Sequence, residues 1–176
     1  MTHTINVPLA RRVLNQIITV PKRWTQDDWL TRPYDPEQQA PTDTVENCGT
    51  TGCFGGWTVV LAGYKTRYST DVLDIPQRIR NAWERAWGLD DPGVRPVGIP
   101  VRDVAAVELG LTDHQAGELF AASNTLRDLY RLLAEYTEGE IEVPDDLPEW
   151  ADLGPTALRE YFDRMQLDAE DVREDA

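Results

Sequence analysis

The sequence predicts a mainly α-helical protein, folded as one multi-helix domain of about six helices. Apolar residues recur at helical spacing in several segments, and Pro, Gly and Thr mark the boundaries of those segments. A chain of 176 residues is long enough to bury its own core. The two cysteines are too few to build a fold on disulfides, so the core must hold it together.

The N-terminal part predicts one amphipathic helix followed by a loop. Residues Pro8 to Val20 place Leu9, Val13, Leu14, Ile17 and Ile18 on one helical face, and Pro21 ends the helix. The stretch 31–47 is polar and carries three prolines, which is typical of a loop.

The segment from Cys48 to Gly63 predicts a central, buried helix. Thr50 or Thr51 is the expected N-cap, Cys53 is expected in the first turn, and Gly63 suits a left-handed stop. The small residues before Trp57 are poor helix formers, so close packing against another element is expected to compensate for them.

The rest of the chain predicts further helices separated by loops. Residues 64–75 favour a short strand pair or an extended loop, and 88–100 a loop. Thr112 and Thr125 are expected N-caps, Gly110 a stop and Pro155 a first-turn residue. The last helix is expected to turn Leu158, Tyr161, Phe162 and Met165 inward, with frayed residues after it at 167–176. The predicted helices are 76–87, 101–109, 113–122, 126–136 and 155–166.

Charge divides the chain into a helical core, residues 1–137, and an acidic C-terminal segment, residues 138–176, whose final helix is expected to pack on the core. The acidic segment has 14 acidic and 3 basic residues, against 17 and 14 in the rest. Its net charge disfavours direct binding to nucleic acid. No apolar run approaches membrane-spanning length, and residues 1–12 do not resemble a signal peptide. We therefore expect a soluble cytoplasmic protein with no membrane association.

Three sequence blocks follow one another in a recognisable order. They are Trp24-x-Gln-x-x-Trp29, Cys48-Gly-Thr-Thr-Gly-Cys53 running into Gly56-Trp57, and Leu109-Gly-Leu-Thr-Asp-His-Gln-Ala-Gly-Glu-Leu-Phe120. Over residues 24–133 this order resembles a group of small uncharacterised proteins of actinobacterial phages and prophages. The resemblance implies a phage accessory protein in the bacterial host cell. It implies no activity and no catalytic residue, and the acidic segment lies outside it.

The cysteines and histidines offer weak candidates for chemistry. Cys48, Cys53 and His114 could ligate a metal with a carboxylate, but the Cys-x4-Cys spacing is looser than usual for zinc. Cys53 and His114 could also form a nucleophile and base, or the two thiols a redox pair. Buried structural thiols are the preferred interpretation. We expect no metal, no cofactor and no enzymatic activity.

A second set of candidates concerns anions. A Gly-rich turn before a helix presents free amides that can bind an anion. The only concentration of basic residues in the chain, which includes Arg78, Arg80 and Arg85, follows that helix in the sequence. No Lys-Ser or Lys-Thr pair follows the glycines, so the phosphate-loop pattern is incomplete. We expect the glycines to allow close helix packing, and the arginines to pair with acidic side chains, in preference to forming an anion site. The anion-site candidates are Thr50, Thr51, Arg78, Arg80 and Arg85.

The leading functional expectation is non-catalytic binding to a host or phage protein through the acidic segment. The alternatives are a small-molecule or nucleotide-binding protein, with or without enzymatic activity, whose pocket lies near the start of the Cys48–Trp57 helix, and a virion structural component. Tryptophans in polar surroundings are candidate exposed anchors, because Trp is enriched at binding hot spots. The partner-binding candidates are Trp24, Trp29, Trp150, Asp145, Asp146 and Glu149.

Overall fold

Helices dominate the part of the chain that the computed structural model describes, residues 4–26, 30–31, 34–35, 40–41, 51–64, 72–73 and 99–174. These residues form six α-helices and two 3-10 turns, which confirms the mainly α prediction. The α-helices are α1 Val7–Thr19, α2 Phe54–Leu61, α3 Val101–Leu109, α4 Asp113–Leu119, α5 Leu126–Tyr136 and α6 Pro155–Glu174. The 3-10 turns are Pro21–Arg23 and Glu149–Asp152. The predicted helix 76–87 lies outside the described residues.

Short extended segments pair in three places, two residues on each side. The antiparallel pairs are β1 Leu30–Thr31 with β4 Thr51–Gly52, β2 Tyr34–Asp35 with β3 Ala40–Pro41, and β5 Val72–Leu73 with β6 Ile99–Pro100. The strand at 72–73 falls inside the expected β segment, but its partner lies outside that segment, just before α3.

Helix α2 is the centre of the fold, as the glycine content predicted. Every residue from Phe54 to Val60 is buried, and the helix packs against both α1 and α3. Its N-cap is Cys53, whose Sγ accepts from the amide of Gly56 at 3.4 Å, so the prediction of a threonine cap was wrong. Thr51 lies in β4 instead. Gly63 has a φ of 90°, the left-handed conformation expected after a helix.

Side-chain caps fix the starts of α1, α4 and α5. Asn6 caps α1 by accepting from the amide of Leu9 at 3.2 Å, and its own amide donates to the carbonyl of Glu108 at 3.0 Å. Thr112 and Thr125 form capping boxes at the starts of α4 and α5, as predicted. Gly110 ends α3 with a φ of 71°. A Cβ there would overlap the carbonyl oxygen of Thr4, so the close approach of residues 4 and 5 to the end of α3 requires this glycine.

Two helix ends differ from prediction. Helix α4 stops at Leu119 and not at 122, because Asn124 Nδ2 donates to the carbonyls of Glu118 and Leu119 at 2.7 and 3.0 Å. Helix α6 continues to Glu174 instead of fraying after 166, and no Gly or Pro interrupts the sequence after Pro155.

The side chain of Gln26 is the polar centre of the fold. It is 3% exposed, and its Oε1 accepts from Trp24 Nε1 and from the amide of Phe54, each at 3.1 Å. Its Nε2 donates to the carbonyls of Leu119 and Ala121 at 3.3 and 3.2 Å. All four hydrogen-bonding positions of the amide are therefore used. One side chain joins the turn after α1 to the start of α2 and the end of α4.

We expect Gln26→Glu to destabilise the protein by about 3 kcal/mol at neutral pH, because both donors are lost and a charge is buried. Burial raises the pKa of the introduced carboxyl in the folded state above its unfolded value. The difference in free energy of unfolding between variant and wild type should therefore shrink as the pH falls through that raised pKa. Urea unfolding of wild type and variant between pH 4 and 8 measures this.

Gln16→Glu on α1 is the matched control. The Gln16 side chain makes no hydrogen bond to a described residue and is only partly buried, so its substitution should change stability by less than about 0.5 kcal/mol. Equal effects of the two substitutions would contradict the role assigned to Gln26.

Candidate functional site

The acidic segment begins in a tight turn that closes α5. Glu138 and Gly139 both have positive φ, 51° and 86°, and the amide of Gly139 returns to the carbonyl of Ala134 at 2.8 Å. Thr137 Oγ1 donates to the carbonyl of Leu133 at 2.7 Å and accepts from the amide of Ile141 at 3.0 Å. These bonds fix the direction in which the chain leaves the helix.

Buried apolar side chains then fasten the acidic segment to the helical core. Ile141, Trp150, Ala151 and Leu158 are each 7% exposed or less and belong to the same core cluster as α1 to α5. The Trp150 ring lies 6.4 Å from that of Trp24 and 5.9 Å from that of Phe162, between centroids. Burial of this size contributes about 2 to 3 kcal/mol per large side chain, which offsets the ordering of the backbone.

The carboxylates between these anchors all face solvent. Each of the nine acidic side chains from 138 to 163 is exposed. Within the described residues, Asp152 alone among them forms an ion pair, with Arg127 Nε at 2.6 Å. That bond lowers the pKa of Asp152 and raises that of Arg127. We call these nine groups the acidic surface: Glu138, Glu140, Glu142, Asp145, Asp146, Glu149, Asp152, Glu160 and Asp163.

A groove of about 480 Å³ opens between the outer side of α1 and the turn after α5. Its apolar floor includes Leu14 and Ile141, which are 2% and 3% exposed. Ile18, predicted to face inward, is 37% exposed and lines the same groove. The polar lining is supplied by Arg11, Asn15, Tyr130, Glu140 and Glu142.

Tyr130 is the unusual member of that lining. Its side chain is 8% exposed, yet its hydroxyl makes no hydrogen bond to any residue that the structure describes. Burial raises the pKa of its phenol, and the charge of Asp146 raises it further. The phenol therefore stays protonated and keeps both a donor and acceptor positions available. Nothing in the sequence pattern marks Tyr130, which occupies an ordinary core position of an amphipathic helix.

The structure corrects two of the predicted anchors. Trp24 and Trp150 are 3% and 7% exposed, so the expectation of exposed indoles is wrong for both. One of the polar residues near Trp24 in the sequence, Gln26, is itself buried and accepts from the indole. Trp29 lies outside the residues whose side chains are described. Asp145, Asp146 and Glu149 are exposed and belong to the acidic surface.

Cys53 and His114, the candidates for a metal site or for a nucleophile and base, differ in exposure: the cysteine is buried and the histidine is exposed. Cys53 is 2% exposed and caps α2. The His114 side chain is 83% exposed and lies 3.5 Å from Glu118 Oε2, an oxygen that also accepts from the Tyr136 hydroxyl at 2.8 Å. In the described ranges, no three His, Cys, Asp or Glu side chains meet as metal ligands. Cys48 lies outside those ranges, as do Thr50, Arg78, Arg80 and Arg85 of the anion candidates.

No family model matches the chain, and neither a curated protein nor a solved structure matches it. Of the helices in the described part, none is both long and apolar enough to cross a bilayer.

We expect Trp150→Ala to destabilise the protein by about 3 kcal/mol, because the indole is buried between Trp24 and Phe162. Residues 138–154 should also become sensitive to limited proteolysis. Urea unfolding and mapped proteolytic cleavage measure the two effects. Met165→Ala is the control on α6, since Met165 was predicted to face inward but is 53% exposed. An unchanged unfolding midpoint for Trp150→Ala would contradict the anchoring described above.

Proposed function

We propose that this chain is a non-catalytic binding protein, a phage-type accessory protein that docks onto a basic host or phage protein in the bacterial cytoplasm. The observation that carries the proposal is the acidic surface. Eight of its nine carboxylates have no ion pair among the described residues, and they stand on a backbone that buried side chains hold to the core.

Anchoring makes these charges suited to recognition. A flexible acidic tail loses conformational freedom on binding, whereas a preorganised surface has already lost it during folding. Complementary charge also speeds encounter and favours basic partners over acidic ones. An anchored anionic surface is thus better suited to specific docking than to solubility alone.

The same charge argues against direct contact with nucleic acid, because phosphate groups would be repelled. A basic protein that itself binds nucleic acid is a chemically consistent partner, since the acidic surface can compete for its cationic side. The resemblance to phage proteins supports a target in the host cell or in the phage itself. The small-molecule alternative depends on Arg78, Arg80 and Arg85, which lie outside the described residues, and the virion alternative depends on self-assembly. The acidic surface is therefore the stronger basis for a proposed function.

The test compares two charge-neutralised variants, each made in an Asp-Asp pair beside a proline. Asp145→Asn with Asp146→Asn removes two charges from the acidic surface, next to Pro144. Asp90→Asn with Asp91→Asn removes two charges next to Pro92 and outside the acidic segment. Affinity purification from lysate of the bacterial host should recover a stoichiometric basic protein with wild type and with the Asp90/Asp91 variant. The Asp145/Asp146 variant should bind it at least about tenfold more weakly.

Salt provides the second readout. Raising the ionic strength from 0.1 to 1 M shortens the screening length from about 10 to 3 Å, so binding should weaken strongly. The proposal fails if no stoichiometric partner is recovered. It also fails if the partner is retained equally by both variants and at high salt.

A further inference from the structure

We infer that the groove between α1 and the turn after α5 receives a lysine side chain of the basic partner. This inference deepens the proposed function and rests on it. The groove combines an aliphatic floor, an unpartnered phenol and an excess of carboxylates that belong to the acidic surface.

The floor of the groove suits an aliphatic stem. Leu14 and Ile141 are nearly fully buried beneath it, and Ile18 exposes 37% of its surface at its side. Methylene groups lying on these side chains would leave water, at a gain of about 0.8 kcal/mol for each one fully buried. A lysine side chain has four such groups, and it commonly lies along apolar surface with its charged end in a polar setting.

The polar lining suits an ammonium group. Glu140 and Glu142 bring two carboxylates to the groove, and Asp146 lies close enough for its charge to act on Tyr130. The one cation of the lining, Arg11, already donates from Nη2 to the carbonyl of Glu140 at 2.7 Å. An ammonium has three donors and no acceptor, so carboxylate and phenol oxygens are its complements.

Tyr130 gives an independent reason to expect a ligand. The Tyr130 residue is nine-tenths buried, and its hydroxyl is open to the groove, where a ligand donor could replace water at the phenol oxygen. Tyr130 lines the groove and makes no hydrogen bond to the described residues. A lysine ammonium in the groove would donate to the phenol oxygen.

The experiment is an NMR titration of the 15N-labelled full chain with a capped pentapeptide that carries one lysine between alanines. The expected result is a set of shifts at the amides of residues 11–18 and 140–142. The same peptide with diaminobutyrate, which keeps the charge but has two fewer methylenes, should bind about tenfold more weakly. The peptide with acetylated lysine should produce no shifts, because it has no charge.

Variants locate the site. Glu142→Gln and Tyr130→Phe should each weaken peptide binding by about tenfold, while Tyr130→Phe keeps the ring in place. Glu160→Gln is the control, since it removes an exposed charge of the acidic surface that does not line the groove. Equal binding of the three peptides, or an equal effect of Glu142→Gln and Glu160→Gln, would overturn the inference.

A free diamine tests the source of the ammonium. If 1,5-diaminopentane binds the groove more tightly than the lysine peptide, the occupant is a small amine and the assignment to a partner lysine is wrong. The two proposals also fail separately. A partner that is lost with the Asp145/Asp146 variant but retained by Glu142→Gln and Tyr130→Phe would leave the acidic surface standing and overturn the groove. If the peptide binds the groove but no partner protein is recovered, the groove stands as an ammonium site and the proposed function fails.

Discussion

The buried amide of Gln26 is the interaction on which the arrangement of the described helices depends. Its two acceptor positions and two donors meet the Trp24 indole, the first amide of α2 and two carbonyls at the end of α4. Three of these bonds are buried and the one to Ala121 is partly buried, so the groups they join would cost free energy if the amide were elsewhere. A single side chain therefore sets the position of α2 relative to α4, and it fixes the indole against which the acidic segment packs.

That contact explains how a strongly acidic segment stays attached to its own core. The carboxylates of the acidic surface repel one another, and repulsion of this kind favours an extended chain. The repulsion is opposed by apolar anchors that alternate with the charges: Ile141, Trp150 and Ala151, followed by Leu158 in α6. Trp150 reaches Trp24, and Trp24 is held by Gln26. The acidic surface and the polar centre of the core are thus linked through two tryptophan rings that meet at an angle of 48°.

The sequence predicted what depends on local chemistry and missed what depends on long-range contact. Helices α3 and α5 begin and end where caps and periodicity placed them, since Thr125 and Gly110 act within a few residues. The end of α4 was missed because Asn124 and Gln26 terminate it, and the contact from Gln26 spans more than 90 residues. The prediction of exposed indoles at Trp24 and Trp150 was wrong because polar neighbours in sequence do not reveal a buried partner in space. The exposed carboxylates were foreseeable from composition, whereas the groove at Tyr130 needs the fold to bring α1 and α5 together.

The central claim is that the acidic surface is held rigidly on the core, and hydrogen exchange of the full chain tests it most directly. The amides of Gly139, Ala151 and Leu153 donate to backbone carbonyls at 2.8 to 3.0 Å, in turns anchored by buried side chains. We predict that peptides covering residues 138–154 exchange far more slowly than an unstructured chain and lose that protection in Trp150→Ala. Exchange of these peptides at the rate of a free peptide in the wild-type protein would contradict the account, because the carboxylates would then stand on a flexible tail.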